Sequence, residues 1–378
     1  MNNNVEFSKM GLEIVSPVNI GNGTVLEAKE YIYDVRESTV YLLNQMAWHK
    51  FIYKHGLFNE YAQYMEKERR KTLQQWLKDL RIDIKEIIAA DVVKSKIIAD
   101  RNDVLNSTGK KGKKNTLNQL ICQARLSDGR VYIPGSSLKG IFRSAMLFRY
   151  LKRNEAVCQS CWSRIKFEVN SDDRYKKGNA AELEKMFISS LPSAGKDIGI
   201  SCSDTNGLNS SQAPVAALQK VDIVINQQGE TKENPLSVFR ESILAGAKFN
   251  FDLKINTKIT EAAGIHSIDD LLEAVQDYFN ASADVFMGTF RREKADIANQ
   301  MAAANIYLGS NTGFLTKTLI LALAPSRDEA REITSKILQK SFGKHKHDKD
   351  RFISPRSLKM TNYNNKRCLT GLARVYKA

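Results

Sequence analysis

Short runs of β-branched and aromatic residues open the chain at 10–18, 31–35 and 39–43, separated by the glycine turn Ile20-Gly21-Asn22-Gly23 and by Arg36-Glu37-Ser38. Such runs suit a pleated, half-buried surface and predict strands, the last two paired with each other. From 48 to 99 the apolar positions change to helical spacing, which predicts a helical insertion with Trp48 and Trp76 in its core. Residues 118–126 and 130–133 predict a hairpin turned at Ser127-Asp128-Gly129. Immediately after it, Leu138, Ile141, Phe142, Ala145, Phe148 and Leu151 recur at the helical period. They predict a helix over 137–154 with one buried stripe, capped by Ser136 or Ser137.

Residues 155–215 are rich in Ser, Asn, Asp and Gly and predict irregular chain. Beyond them, 217–225 and 242–255 predict strands, 268–279 an amphipathic helix and 315–324 a buried strand. Residues 326–342 predict a helix with Ser326 as N-cap and Asp328 and Glu329 in its first turn, and 369–376 predicts a closing strand. Strands and helices mixed in βαββαβ fashion predict an α+β protein of two ferredoxin-like units with helical and loop insertions. A length of 378 residues suits two domains. They are placed at 1–200, with the helical insertion at about 48–99, and at 201–378.

Charge changes the picture from fold toward partner. Lys and Arg number 57 against 42 Asp and Glu, a formal net charge of +15. Residues 101–180 carry 17 basic against 6 acidic residues and 340–378 carry 11 against 2, so the rest of the chain is net acidic. Positive charge gathered in this way attracts phosphates and gains from counterion release. The stretch 106–115 sets Lys110, Lys111, Lys113 and Lys114 among glycines without apolar periodicity, and predicts a loop that is either solvated or clamped on RNA. Five cysteines are sparse, the Met1-Asn2-Asn3-Asn4 start lacks the features of a signal peptide, and no apolar run approaches the roughly 20 residues needed to cross a bilayer. A reduced, cytoplasmic protein without a membrane partner is expected.

The leading candidate for binding chemistry is the turn Pro134-Gly135-Ser136-Ser137-Leu138-Lys139-Gly140. A helix start presents unpaired N–H groups and a positive dipole end, glycine admits a phosphate closely, and two hydroxyls and Lys139 add donors. Arg143 follows one helical turn after Lys139 and faces the same way. The same sequence also suits an ordinary capped strand-to-helix connection, so the turn alone does not decide between the two.

The longer string Tyr132-Ile133-Pro134-Gly135-Ser136-Ser137-Leu138-Lys139-Gly140-Ile141-Phe142-Arg143-Ser144-Ala145 resembles the signature of the RAMP superfamily, the repeat-associated proteins that build CRISPR effector filaments. Val15-Ser16-Pro17-Val18-Asn19-Ile20-Gly21-Asn22-Gly23, Leu308-Gly309-Ser310-Asn311-Thr312-Gly313-Phe314-Leu315-Thr316-Lys317-Thr318 and Ser354-Pro355-Arg356-Ser357-Leu358-Lys359-Met360 are similar too. Together they resemble the fifth-subunit family of type III-A Csm effector complexes. The resemblance implies a two-unit protein that caps the filament at the 3′ end of the CRISPR RNA and helps to mature that RNA in antiviral defence without being a nuclease. It implies as partners the CRISPR RNA, the repeated Csm backbone subunit, the small helical Csm subunit and, as further candidates, host trimming nucleases. RNA contacts are expected at Gly21, Gly23, Gly135, Ser136, Ser137, Lys139, Gly140, Arg143, Lys317, Arg356 and Lys359. They should address backbone more than bases, because no aromatic RNP motif is present. The 309–313 loop holds only two glycines, fewer than the glycine-rich loop of many RAMP proteins.

Catalytic and metal motifs are incomplete. No Walker loop or nucleophile elbow occurs. Asp34, or His345 with His347, would serve the alternative reading of a metal-dependent endoribonuclease that trims precursor RNA, but Asp34 lacks a base or metal partner in the sequence. Cys158-Gln159-Ser160-Cys161 is half of a zinc site, with Cys202 as a candidate third ligand. No metal or cofactor is expected.

Overall fold

The computed structural model describes residues 4–68, 71–100, 117, 119–171 and 198–378; the lysine-rich stretch 106–115 lies outside them. In chain order the first half contributes β1 (Val5–Ile14), β2 (Gly21–Glu27), β3 (Tyr31–Asp34), β4 (Thr39–Leu43), α1 (Gln45–Lys54), α2 (Phe58–Lys67), α3 (Leu73–Asp79), α4 (Ile84–Ala89), β5 (Val93–Ile98), β6 (Gln119–Gln123), α5 (Gly135–Arg153) and α6 (Glu155–Asn170). The second half contributes β7 (Ile200–Cys202), β8 (Val215–Ile225), β9 (Thr231–Ile243), β10 (Lys248–Asn256), α7 (Ile268–Thr289), α8 (Lys294–Ala302), β11 (Ile306–Tyr307), α9 (Arg327–Ser341), β12 (Ser357–Tyr363), β13 (Lys366–Leu369) and β14 (Leu372–Lys377).

These elements form an α+β protein with two curled sheets, the architecture of two ferredoxin-like units. The smaller sheet runs β11-β14-β1-β10-β7. Its register is set by strict alternation in β10, where Phe249, Phe251, Leu253 and Ile255 are buried and the residues between them face solvent. Met10, Leu12 and Ile14 of β1 add to the same core, against which Leu138, Phe142 and Ala145 of α5 and Leu271 and Val275 of α7 pack. The larger sheet runs β2-β6-β9-β8-β5-β4-β3, with β12 also paired to β8 and β13 to β12. Strands from both sides of residue 200 meet in each sheet: β1 lies between β10 and β14, while β5 and β6 pair with β8 and β9.

The helical insertion packs Trp48, Phe51, Tyr64, Trp76 and Ile87 against Ile32, Tyr41 and Leu43 of β3 and β4, and its helices end at Ala89, so the last part of the expected span 48–99 is the strand β5. The expected hairpin of β3 and β4 is present, as are the helices after Ser267 and Ser326, each of which accepts an N–H bond in its first turn. Other expectations fail for identifiable reasons. Residues 315–324 are not a strand but a 3-10 turn (Leu315–Lys317) and a short helix (Ile320–Leu323). Its apolar part, residues 319–324, is too short to show a period and packs against α6 and α9. Within 155–215, the 16-residue α6 replaces irregular chain; Cys161, Trp162, Ile165 and Val169 make a stripe that its polar face concealed. The strand expected over 242–255 breaks between β9 and β10 at Gly246 (φ +95°). The hairpin expected over 118–133 reduces to β6 and a single bridge between Arg125 and Val131.

Phe142 is 1% exposed and Phe167 is 77% exposed, which gives a direct test of this core. Phe142→Ala should cost about 3–5 kcal/mol, whereas Phe167→Ala should stay within about 0.5 kcal/mol of the parent. Urea midpoints at unchanged m-value measure both.

Candidate RNA interface

A cavity of about 480 Å³ lies where α5, the turn before β2 and the segment after β11 meet. Gly21, Ser136, Ser137, Gly140, Arg143 and Lys317 line it, so six of the expected contact residues, drawn from three distant motifs, share one surface. Ile20, Ile141, Tyr278, Phe279 and Tyr307 form its apolar part. Burial pushes the Tyr278 and Tyr307 phenols up, so both stay protonated at neutral pH. Arg143 is solvent-exposed. Lys317 donates from Nζ to the Gly309 carbonyl at 2.8 Å, and desolvation lowers the pKa of its ammonium.

The 309–313 loop is held against the N-terminal turn by Asn19. The Asn19 carbonyl accepts from Ser310 N at 2.8 Å, and its side-chain Oδ1 accepts from Ser310 Oγ at 2.6 Å. A Cβ on Gly309, whose φ is +84°, would lie 2.3 Å from the Asn19 carbonyl oxygen. The glycine therefore serves this close approach of two chain segments. Asn19 Nδ2 in turn donates to the carbonyl of buried Glu241 at 2.8 Å. The Glu241 carboxylate accepts from Gln123 N at 2.9 Å and pairs with Arg125.

The helix start differs from its expectation. Pro134, not Ser136 or Ser137, occupies the N-cap position, and no side chain of the helix caps it. Instead Asp204, brought in by the segment after β7, accepts from Gly135 N at 2.7 Å. A carboxylate already meets the positive end of the helix dipole. Gly135 has a packing role as well: a Cβ there would stand 2.5 Å from the Ser203 carbonyl oxygen and 2.6 Å from that of Cys202. Ser136, Ser137 and Arg143 on the flank of α5 line the cavity, whereas the helix terminus does not.

The remaining expected residues lie apart from the cavity. Gly23 (φ +88°) sits in an exposed irregularity of β2. Lys139 is near Cys202, a thiol that burial pushes up to about 12 against the opposing pull of Lys139. Arg356 donates to the carbonyls of His345 and Lys346 and pairs with Asp350 at 2.9 Å. Lys359 bonds to Asp222 Oδ2 and Ser357 Oγ, both at 2.9 Å.

The RAMP superfamily model matches residues 11–292, a stretch that includes the turn before β2 and the whole of α5. The chain belongs to the RAMP superfamily. Among RAMP proteins it is 27% identical to the CRISPR system Cms protein Csm5 of Enterococcus italicus over 88% of this chain and 84% of that protein. It is also 27% identical to the Streptococcus thermophilus protein of the same name, over 84% and 82% respectively. A chain of the cryo-EM Csm–crRNA–target RNA ternary complex of a type III-A CRISPR–Cas system superimposes with a TM-score of 0.63 at 18% identity, covering 98% of this chain and 100% of that one. The crystal structure of T. onnurineus Csm5 gives 0.56 at 16% identity, covering 96% and 99%. At such identities the structural likeness speaks for the RAMP fold.

The candidate catalytic and metal residues of this RAMP chain are engaged elsewhere. Asp34 Oδ1 accepts from Arg36 N at 2.8 Å and Glu37 N at 3.4 Å, closing the β3–β4 turn. Cys158 and Cys161 lie on α6, with the Cys158 thiol against the Ala322 and Leu323 carbonyls and both thiols raised by burial. His347 Nδ1 contacts Asp350 Oδ2 at 2.8 Å. Among the described residues, no three His, Cys, Asp or Glu side chains gather as metal ligands, and no helix is long and apolar enough to cross a membrane. Sequence reasoning missed Asn19, Asp204, Arg240 and Ser310. Asn19 and Ser310 stand inside recognised motifs, whereas Asp204 and Arg240 carry no local signal because their partners lie 69 and 70 residues away.

The two helix-start glycines should separate. Gly135→Ala should lower the thermal midpoint, because carbonyl oxygens block its Cβ. A Cβ on Gly140 meets nothing within 4 Å, so Gly140→Ala should leave the midpoint unchanged or raise stability by about 0.5–1 kcal/mol. Paired thermal melts of the two variants measure the difference.

Proposed function

We propose that this protein is a subunit of a type III-A Csm ribonucleoprotein, that it holds the 3′ end of the CRISPR RNA at the filament end, and that it assists maturation of that RNA without cutting it. The observation that carries this reading is the convergence of three RAMP-like motifs on one cavity, with Ser136, Ser137, Arg143 and Lys317 around a single surface. Hydroxyls and cations without an RNP aromatic pair suit phosphate and ribose more than base edges. A subunit that serves many guide sequences requires recognition of that kind. The relatives named Csm5, and the Csm–crRNA–target RNA complex in which a chain of this fold occurs, support the CRISPR RNA and other Csm subunits as its partners. A role in maturation puts the chain where host nucleases stop, with the bound 3′ segment shielded.

The Arg143→Ala/Lys317→Ala double variant, assembled with its partner subunits, should bind guide RNA more weakly. The slope of log affinity against log salt should fall by about 0.7 for each phosphate that is no longer neutralised, equally for unrelated guides. A defect confined to one guide sequence would contradict backbone recognition. Metal-dependent shortening of precursor RNA by the purified protein would overturn the non-catalytic reading in favour of an endoribonuclease.

A further inference from the structure

Beside the cavity, on the other side of Ser310, three cations crowd around one carboxylate. Arg240 on β9 donates from Nε to Ser310 Oγ at 3.1 Å, and Ser310 also lines the cavity. Lys359 on β12 stands opposite Asp222 on β8 in the strand register and bonds it at 2.9 Å. Lys220 reaches the same Asp222 oxygen only at 3.9 Å. The side chains of Lys220, Asp222 and Lys359 are 22%, 14% and 17% exposed, so the group is partly desolvated yet still open to a ligand.

The charges in this group do not balance. Among the described residues one carboxylate faces three cations, and desolvation together with the neighbouring Lys359 and Arg240 lowers the pKa of Lys220. Desolvation lowers that of Arg240 as well. The hydrogen bonds do not balance either: among the described residues, Arg240 Nη1 and Asp222 Oδ1 are buried without partners. Turning these two atoms toward each other would still leave two positive charges without a carboxylate. Like charges held together and partly out of water are stabilised by an added anion. Neither Lys220 nor Arg240 lies in the basic segments 101–180 or 340–378, so bulk charge does not account for them.

We infer that Lys220, Arg240 and Lys359 form a second phosphate site, which takes a phosphodiester of the strand held in the cavity and is joined to it through Ser310. This rests on the reading of the cavity as an RNA site and extends it by naming where the strand goes next. A tridentate arrangement of one guanidinium and two ammonium groups suits the non-bridging oxygens of a phosphodiester, and Asp222 limits the charge to what one phosphate and its neighbour neutralise.

Lys220→Gln is the informative variant, because among the described residues Lys220 makes only the long contact to Asp222 and its removal leaves the Arg240–Ser310 bond in place. In the assembled complex with labelled guide RNA, the salt slope should fall by about 0.7, for any guide sequence, while the thermal midpoint of the RNA-free chain stays level or rises as repulsion is relieved. Lys220→Arg should restore the slope. Arg240→Gln, which removes the charge, gives a second reading with the same expected direction. Unchanged slope and affinity in Lys220→Gln and Arg240→Gln would overturn the second site and leave the group as an internal ion-pair cluster. If the Arg143→Ala/Lys317→Ala variant shows a reduced slope while these two do not, the second site alone fails. If none of the three shows a reduced slope, the RNA reading of the cavity fails with it.

Discussion

A carboxylate with 1% of its surface exposed holds the candidate site together. Glu241 sits in β9, where an unpartnered charge would be costly. Its oxygens take Gln123 N–H and the Arg125 guanidinium, and its backbone carbonyl takes the Asn19 amide. Asn19 then fixes Ser310, which fixes Arg240 on the strand where Glu241 began. The network closes on itself across segments 118, 222 and 291 residues apart. Because Glu241 must be satisfied, the turn before β2, the end of β6 and the 309–313 loop are held in one register, and the cavity walls follow from that.

A second carboxylate closes the start of α5. A helix N-terminus is the simplest phosphate site a protein can offer, yet here Asp204 already occupies it at Gly135 N. The cavity flank supplies what remains: two serine hydroxyls, Arg143 and Lys317. The serines and Arg143 lie along the side of α5 and line the cavity together with Gly309, Ser310 and Lys317. The helix terminus then acts as a packing joint between α5 and β7, which is also why no side chain larger than glycine fits at 135.

Elsewhere, basic residues that look equivalent in the sequence divide into two kinds. Arg356 commits its guanidinium to Asp350 and two carbonyls and so fastens the segment between α9 and β12. Lys359, three residues on, joins Asp222, Lys220 and Arg240 in a group with excess positive charge. Proximity in sequence therefore says little about whether a cation faces a ligand or the protein's own carbonyls. The supply of carboxylates within reach decides it.

The sequence by itself determined the elements whose signals are local. The stripe of α5 and the Ser326 cap of α9 were legible, since each depends on residues close together in the chain, and so were the helical character of 48–89 and the RAMP-like motifs. Only the tertiary structure decided the rest. The run 315–324 became helical because its apolar part, 319–324, is too short to carry the period that distinguishes strand from helix. The expected serine cap gave way to Asp204, and Arg240 entered the cation group, through partners that no local pattern encodes. Side-chain periodicity is a short-range property of the chain, whereas satisfaction of a buried charge is a property of whatever the fold brings beside it.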